Sequence, residues 1–304
     1  MKSNKSLLGS LAALGANTIF GFSFLFSKIA LETTSPMVIL SLRFTAAFLV
    51  LNLLLLFGVF KVNFKGKPLG KLILMALAQP LLYFIFELFG IENTSSAMSG
   101  LIISLVPVAV IILSTLFLKE KPTLLQIICS AVSLIAVGII TLLSSSGGKN
   151  TIFGILLLVL AVVCAAVFNI FSRSESARFT PFEKTYMMFL IGSVGFSIIA
   201  LITHRANFSS EVAIALSNTK FLFSLSYLSI VSSIGAFMLY NFATSAISTV
   251  RAASFANITT VVSLFAGVLI LKETLTPLQI ICSIFIILGV WGVNLKMENQ
   301  NELQ

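Results

Sequence analysis

The sequence predicts an all-α polytopic membrane protein with ten transmembrane helices, arranged as two inverted repeats of five helices. Three observations predict this fold. Hydrophobic residues make up 58% of the 304 residues and charged residues only 10%, whereas soluble globular chains carry roughly 25% charged residues. Ten apolar segments of transmembrane length follow one another. One pattern of residues also occurs twice, 153 positions apart.

The ten apolar segments are each long enough for a membrane-spanning helix, which takes about 20 residues. Turn-forming residues separate them, as at 33–36 and in the Ser/Gly-rich stretch 144–150. The separations are weakest at 91–95 and at Asn241, where neighbouring segments nearly touch. The predicted spans are 7–31, 36–60, 69–91, 95–118, 124–143, 152–172, 181–203, 221–240, 243–271 and 275–295.

Basic residues predict the orientation, because cytoplasmic loops carry an excess of Lys and Arg. An even number of spans places both termini on the same side. With both termini in the cytoplasm, 13 Lys and Arg residues fall inside and 5 outside, while Arg43 lies within a span. We therefore expect a multi-pass protein of the cytoplasmic membrane, the inner membrane where there are two, with both termini cytoplasmic.

Several function classes are disfavoured by composition. The net charge of +9 does not indicate nucleic-acid binding, because the basic residues lie singly or in small groups between apolar segments. The three cysteines lie inside apolar runs without metal-ligand spacing, so neither disulfides nor zinc is predicted. The single histidine, His204, lies in a loop, and no catalytic set can be built around it. We predict no enzyme, no cofactor and no metal site.

The repeated pattern determines the predicted domain organisation. Leu-Lys-Glu-x-x-Thr-x-Leu-Gln-Ile-Ile-Cys-Ser at 118–130 recurs at 271–283, and Pro36 and Phe44 recur 145 positions later as Pro181 and Phe189. These matches predict a first repeat at 1–146 and a second at 147–304, with five spans each. An odd number of spans inserts the two copies in opposite orientations. Inverted repeats of this kind support alternating access around a central site.

Further motifs follow one another along the chain. They are Ile-Phe-Gly-Phe-Ser-Phe at 19–24 followed by Lys28, Pro36 with Leu-Arg-Phe at 42–44, Thr-Ser-Ser-Ala at 94–97 with Pro107, and Leu-Lys-Glu at 118–120 and 271–273. Together they resemble the drug/metabolite transporter superfamily, specifically EamA-type permeases with two five-helix units. The resemblance implies a secondary transporter of small organic metabolites.

The predicted function is export of amino acids or related compounds by alternating access. A multidrug or quaternary-amine exporter is the alternative within this class, and a non-transporting membrane sensor or assembly factor is the alternative outside it. The predicted partners are a small-molecule substrate and the lipid bilayer, with no nucleic acid. Coupling to protons and facilitated exchange both stay open, as do a monomer and a weak homodimer.

Glu87 is the first candidate pathway residue, because a carboxylate within an apolar segment is costly unless it faces the bundle interior or an aqueous cavity. It could bind a cationic group or take up a proton. Alternatively, it lies at the outer interface near Glu92 and is hydrated. Arg43 could attract a substrate carboxylate or pair with Glu32 or Glu87, whereas Lys28 could equally extend to the interface.

Uncharged polar residues inside or at the ends of the spans predict a polar cavity, although each amide could also simply join two helices. Under the 153-residue offset Glu87 corresponds to Tyr240, so the repeats offer unlike groups at equivalent positions. The remaining candidate substrate-binding or pathway residues are Asn17, Gln79, Tyr83, Asn169, Tyr227, Asn241 and Asn257.

Two prolines and two charged pairs complete the predictions. Pro80 and Pro107 interrupt helices and are candidate hinges, or structurally tolerated kinks. The pairs Lys119-Glu120 and Lys272-Glu273 lie at span ends on opposite faces, where we expect interface anchors and helix caps, with gating as the weaker alternative.

Overall fold

The computed structural model describes residues 2–93, 102–103, 105–143, 151–204, 207–271 and 276–294. These residues form helices and connections and contain no strand, as the composition predicts. Six helices are long and apolar enough to cross a membrane: Asn4–Leu31, Pro36–Leu56, Gly70–Gly90, Ile152–Ala177, Pro181–His204 and Thr219–Ala246. Shorter apolar helices are Val106–Leu118, Leu124–Ile139, Phe208–Ser217 and Ile280–Val293.

The helices follow the chain in two groups, on either side of 144–150, where the predicted repeat boundary lies outside the described residues. The first group is α1 (Lys2–Leu31), α2 (Pro36–Leu56), α3 (Gly70–Ala76, Leu77–Leu82 and Tyr83–Glu92), α4 (Val106–Leu113 and Ser114–Leu118) and α5 (Leu124–Leu143). The second is α6 (Ile152–Ser174), α7 (Pro181–His204), α8 (Phe208–Ser217), α9 (Thr219–Ser226, Tyr227–Ala236 and Phe237–Ala246), α10 (Thr249–Ser254), α11 (Ala256–Leu271) and α12 (Pro277–Asn294).

Local sequence explains where several helices begin and bend. Pro36 opens α2 in the first turn, where a missing N–H costs nothing. Thr151 caps α6 by accepting a hydrogen bond from the Gly154 N–H at 3.1 Å. In α3 the backbone leaves the helical region at Gln79 (φ −145°, ψ 124°), before Pro80. Such irregular backbone at membrane depth is tolerated where protein surrounds it.

Two predicted boundaries are wrong. Asn241 does not separate two spans: α9 continues to Ala246 and ends at Ile247, which is extended (φ −125°, ψ 166°). Polarity suggested a break there, but the Asn241 amide has buried partners and stays inside the helix. The connection predicted between the spans 181–203 and 221–240 also contains a helix, α8, whose Ala215 is buried. The polar ends of this stretch obscured its apolar middle.

Helices that carry the repeated pattern lie side by side and run antiparallel. Gln126, near the start of α5, donates from Nε2 to the Val293 carbonyl near the end of α12 at 3.3 Å. Midway along both helices, Ser133 Oγ donates to the Ile286 carbonyl at 3.4 Å. Ser133 and Ile286 are counterparts under the 153-residue offset. This arrangement fits two inverted copies.

The same relation holds between α2 and α7. The hydroxyls of Ser41 and Ser197 lie 3.2 Å apart near one end of the pair, and Tyr186 donates to Asn52 Oδ1 at 3.1 Å near the other. Between these contacts Phe44 stacks on its own counterpart Phe189, with ring centroids 5.2 Å apart. These two rings lie in the main hydrophobic cluster, which surrounds the candidate site.

The bundle has two faces, which α1 and α9 define. Gly9 near the start of α1 adjoins Ala246 at the end of α9. Phe26 near the end of α1 packs against Phe223 near the start of α9. We call the face where α1 begins and α9 ends the terminus face, and the other the opposite face. The connection 57–69 lies on the terminus face, because Lys67 contacts Glu183 at the start of α7.

Candidate functional site

Arg43 on α2 joins the two repeats in the interior. Its side chain is buried, with Nε donating to Ser233 Oγ at 2.8 Å and Nη2 donating to Ser232 Oγ at 3.2 Å. Ser23 on α1 also donates to Ser232, at 2.6 Å. Both acceptor serines are buried in the π-helical middle segment of α9, Tyr227–Ala236. The guanidinium of the first repeat is thus held by neutral hydroxyls of the second.

Aromatic rings and a carboxylate complete this cluster. The Arg43 Cζ atom lies 5.5 Å from the ring centroids of both Phe44 and Phe84, within the range of a cation–π interaction. Tyr83 precedes Phe84 on α3 and donates to Oε1 of Glu87, one helical turn further along, at 2.9 Å. Glu87 is half-buried and interacts electrostatically with Arg43. The structure therefore brings Arg43, Tyr83 and Glu87 together; we call this the Arg43 cluster, with Phe44, Phe84, Ser232 and Ser233.

Asn169 and Tyr240, both predicted pathway residues, form a pair within the second repeat. Tyr240 donates to Asn169 Oδ1 at 2.8 Å, and Asn169 Nδ2 donates to the Ala165 carbonyl at 2.8 Å. Both side chains are buried, and the Tyr240 ring stacks on Phe168. Glu87 and its counterpart Tyr240 therefore have different partners, as the asymmetry of the two sequences predicts.

Among the other predicted residues, Asn17 and Tyr227 join helices. Thr259 on α11 donates to the Asn17 carbonyl at 3.2 Å and lies 3.3 Å from Asn17 Oδ1. Asn257, two residues before Thr259, is buried. Tyr227 donates to the Ile19 carbonyl at 3.0 Å. Gln79 is half-buried in the π-helical segment of α3. These contacts connect α1 with α9 and α11.

The two predicted hinge prolines differ in their positions. Pro80 is buried in the π-helical segment Leu77–Leu82 of α3, directly after the non-helical residue Gln79. Pro107 lies in the first turn of α4, and the chain turns at Leu105 just before it. Both prolines therefore mark irregular backbone, and their role as hinges stays a prediction.

The burial of Lys184 is not predicted by the sequence. Lys184 is one of the 13 basic residues counted on the cytoplasmic side and lies in the predicted span 181–203, and its side chain in α7 is fully buried. The nitrogen Nζ contacts Ser172, Ser176, Asn241 and Thr244. Asn241, one of the predicted pathway residues, is part of this network. The burial of Lys184 depends on oxygens from α6 and α9, and the sequence around Lys184 does not show that these oxygens lie nearby.

Polar links between the repeats also lie on the terminus face. Glu120 accepts hydrogen bonds from the Thr249 N–H at 3.2 Å and from its hydroxyl at 3.1 Å, and lies 3.9 Å from Arg173 Nε. Glu120 thus caps α10, a helix of the other repeat. Lys67 forms an ion pair with Glu183 at 3.0 Å. The corresponding pair Lys272-Glu273, the motif 94–97 and the Lys28 side chain lie outside the described part.

Comparison with known proteins adds to this geometry. Two stretches of the chain, 7–142 and 152–295, match the model of the EamA-like transporter family. The chain belongs to the EamA-like transporter family. It is a multi-pass membrane transporter, consistent with the drug/metabolite transporter superfamily.

Relatives of this EamA-like protein carry transporter names. It is 32% identical to the uncharacterized transporter YcxC of Bacillus subtilis over 294 residues, which cover 96% of this chain and 94% of that protein. It is 26% identical to an uncharacterized transporter of Archaeoglobus fulgidus, over 91% of this chain and 95% of that one. A crystal structure with 14% sequence identity superposes with a TM-score of 0.78 and 93% coverage of this chain, and so has the same fold.

The Arg43 cluster brings groups of opposite charge close to aromatic rings. Arg43 has planar donors of the kind that pair with a carboxylate or phosphate. Glu87 has acceptor oxygens, and the rings of Tyr83 and Phe84 lie nearby.

Proposed function

We propose that this EamA-like protein is a secondary transporter that exports amino acids or related small metabolites by alternating access. In this proposal it resides in the cytoplasmic membrane with both termini in the cytoplasm. The observation that carries the proposal is the Arg43 cluster, in which a guanidinium and a carboxylate lie near the contact between two inverted repeats.

An amino acid carries both charges that such a cluster would bind. Its carboxylate suits Arg43, because a guanidinium donates two parallel hydrogen bonds to a carboxylate. Its ammonium group suits Glu87, with the ring of Phe84 nearby. Arg43 now binds Ser232 and Ser233, which are neutral and belong to the second repeat. A substrate carboxylate that replaced these serines would loosen a contact between the repeats, so binding and rearrangement would be coupled.

Flux measurements in proteoliposomes test this proposal. The purified protein is reconstituted and assayed with labelled amino acids, quaternary amines, nucleobases and sugars, against empty vesicles. We expect amino-acid flux, and we expect Arg43→Gln to lower kcat/KM about 10- to 100-fold, since hydrogen bonds to charged groups contribute about 1.5–3 kcal/mol. Lys65→Gln, on the exposed connection 57–69, is the matched control and should leave flux unchanged.

A quaternary-amine exporter is the second candidate, because Glu87 lies beside the rings of Tyr83 and Phe84. This version predicts flux of organic cations that Glu87→Gln abolishes and Arg43→Gln spares. Cation flux that survives Glu87→Gln would contradict it. Flux of amino acids that needs both residues favours the first candidate.

Coupling and assembly are part of the same proposal. We propose a monomer or weak homodimer in the bilayer that needs no nucleic acid, with coupling to protons as the driving force. Flux that accelerates under an imposed pH gradient supports proton coupling, whereas unchanged flux supports facilitated exchange. No flux of any compound above empty vesicles would exclude the transporter proposal and favour a sensor or assembly factor.

A further inference from the structure

The ammonium group of Lys184 lies inside a cage of five oxygens. Its Nζ atom is 2.9 Å from the Ser172 carbonyl and 3.1 Å from Ser172 Oγ. The other three oxygens are Ser176 Oγ at 3.0 Å, the Asn241 carbonyl at 3.0 Å and Thr244 Oγ1 at 3.4 Å. An ammonium has only three hydrogens. Five oxygens around one point resemble the coordination shell of an ion more than the partners of a lysine.

The hydroxyls of the cage are oriented so that they accept rather than donate. Ser176 donates to the Ser172 carbonyl at 2.6 Å, and Ser172 donates to Asn241 Oδ1 at 2.8 Å. Thr244 has two acceptors for its hydrogen, Ser172 Oγ at 2.8 Å and the Asn241 carbonyl at 3.0 Å. Since each hydroxyl hydrogen has another acceptor, all five oxygens can present lone pairs to the centre. The cage is therefore built for a positive charge.

Helix ends supply the negative partner of that charge. Ser172 lies in the last turn of α6, and Thr244 lies in the last turn of α9, where backbone carbonyls carry the negative end of the helix dipole. Arg173 also donates to the Thr244 and Ser245 carbonyls, both at 3.1 Å. Among the described residues, no carboxylate oxygen forms an ion pair with Lys184 within 4.0 Å. Carbonyl and hydroxyl oxygens alone hold this cation, as they hold K⁺ in channel filters.

We propose that these five oxygens form a monovalent-cation site that Lys184 fills with a tethered ammonium. Without the lysine side chain, the same oxygens bind an alkali-metal or ammonium ion from solution. This inference deepens the proposed function, on which its transport consequence rests: the lysine side chain occupies the site through the cycle, so transport requires no dissolved cation at this position.

The test compares two substitutions of Lys184 in the full-length purified protein. Lys184→Ala removes the charge and leaves space for an ion, whereas Lys184→Met removes the charge but keeps a long side chain in that space. Thermal unfolding is followed in choline chloride, sodium chloride, potassium chloride, ammonium chloride and ethylammonium chloride at equal ionic strength. No substrate is needed, so the outcome is independent of the transport proposal.

We expect both variants to unfold at lower temperature than the wild type in choline. One or more of the smaller cations should restore at least half of the lost Tm in Lys184→Ala, saturably, but not in Lys184→Met or the wild type. If Lys184→Ala is not recovered in choline, we expect its recovery when extraction is done in ammonium chloride. A folded Lys184→Ala without a cation-specific shift would overturn the proposal. Failure to recover it in every buffer, while Lys184→Met stays folded, would overturn it equally.

A flux assay then tests the transport consequence separately. Wild-type flux should be unchanged when sodium is replaced by choline, whereas Lys184→Ala should lose flux in choline and regain it with the rescuing cation. Cation rescue of Tm without any flux in the wild type would leave the cation site intact and refute the transporter. Sodium-dependent wild-type flux would overturn the tethered-charge consequence.

Discussion

Buried charges in this protein rely on unequal partners. Glu183 is nearly fully buried and accepts hydrogen bonds from the Thr180 N–H at 2.8 Å, the Asn63 N–H at 2.9 Å and Lys67 Nζ at 3.0 Å. Lys67, in contrast, remains 27% exposed. Removing the carboxylate therefore leaves two backbone N–H groups and the lysine without their acceptor, while removing the lysine leaves a carboxylate that still has two backbone donors.

This asymmetry predicts unequal effects of two substitutions. Glu183→Gln places an amide NH₂ against a backbone N–H and should cost about 1.5–3 kcal/mol, the range for hydrogen bonds to charged groups. Lys67→Gln should cost only about 0–1 kcal/mol, because the lysine is partly solvated. Thermal and denaturant unfolding of both variants measure the difference. Equal losses would mean that the ion pair, rather than the backbone donors, stabilises this connection.

The surroundings of Glu211, on the opposite face, predict that the stability of the protein depends on pH. Partial burial raises its pKa, but hydrogen bonds from the side chains of His204 and Ser35 outweigh burial and lower the pKa below its ordinary value. A lowered pKa contributes stability that is present above the unfolded-state pKa and lost as pH falls through the folded-state pKa. Wild-type Tm should therefore exceed that of Glu211→Gln at neutral pH, and the difference should shrink on acidification. A difference that is constant with pH would contradict this.

Arg43 and Glu87 could be predicted as candidate residues, because charges within a membrane span often have a function. Their hydrogen-bond partners could not be predicted from the sequence. Ser232 and Ser233 are ordinary residues in an apolar segment, and no sequence spacing connects them to Arg43. The burial of Lys184 could not be predicted, because a lysine in the first turn of a span can equally extend its ammonium group to the interface. Its burial results from α6 and α9 ending at the same point, which is a long-range property.

At the scale of elements, glycines set how closely α1 approaches α11. A Cβ atom at Gly21 would lie 2.5 Å from Val262 Cβ and 3.0 Å from the Thr259 carbonyl oxygen. At Gly15 of the same helix, the nearest atom, Leu239 Cδ1, would be at 3.7 Å, an ordinary contact. The helices can pack at their observed separation only without a side chain at Gly21.

Gly21→Ala should therefore destabilise the protein by about 1–3 kcal/mol, the usual cost of overpacking. Gly15→Ala is the control and should be neutral or slightly stabilising, because alanine favours a helix more than glycine does. Thermal unfolding of the two variants in the same detergent provides the measurement. A Gly15→Ala loss as large as that of Gly21→Ala would refute the packing argument.

Most of the long helices could be predicted from hydropathy, whereas the short helix α8 and some helix ends could not. Asn241 was predicted as a break because its amide is polar, yet Ser172 and Thr185 satisfy that amide within the bundle. The helix ends instead after Ala246, where Ile247 becomes extended. A polar residue ends a span only when its partners are absent, and those partners come from other helices.

At the scale of the whole molecule, the charge bias predicts which face is cytoplasmic. Lys65 is exposed on the terminus face, and Lys220 is exposed at the start of α9 on the opposite face. In intact cells, a membrane-impermeant maleimide should label Lys220→Cys but not Lys65→Cys, which should react only after the membrane is opened. The wild type, with Cys129, Cys164 and Cys282, is the background control. The reverse labelling pattern would invert the proposed topology.

The odd number of spans per repeat predicted antiparallel copies before any contact was known. The structure adds which helices meet: α2 with α7 and α5 with α12. That information is absent from the repeat itself, because a duplicated sequence does not specify whether its equivalent helices touch. Contacts such as Ser133 with Ile286 supply it.

The stacking of Phe44 on its own counterpart Phe189 has a mechanical consequence. In alternating access, each inverted half adopts the conformation that the other half had before. A residue in contact with its own equivalent has the same neighbour in both states, so this aromatic pair would act as a fulcrum. Displacements would then be smallest at these rings and grow with distance toward both faces. Spin labels near the fulcrum should report nearly constant separations during turnover, while labels at the rim should report the largest excursions.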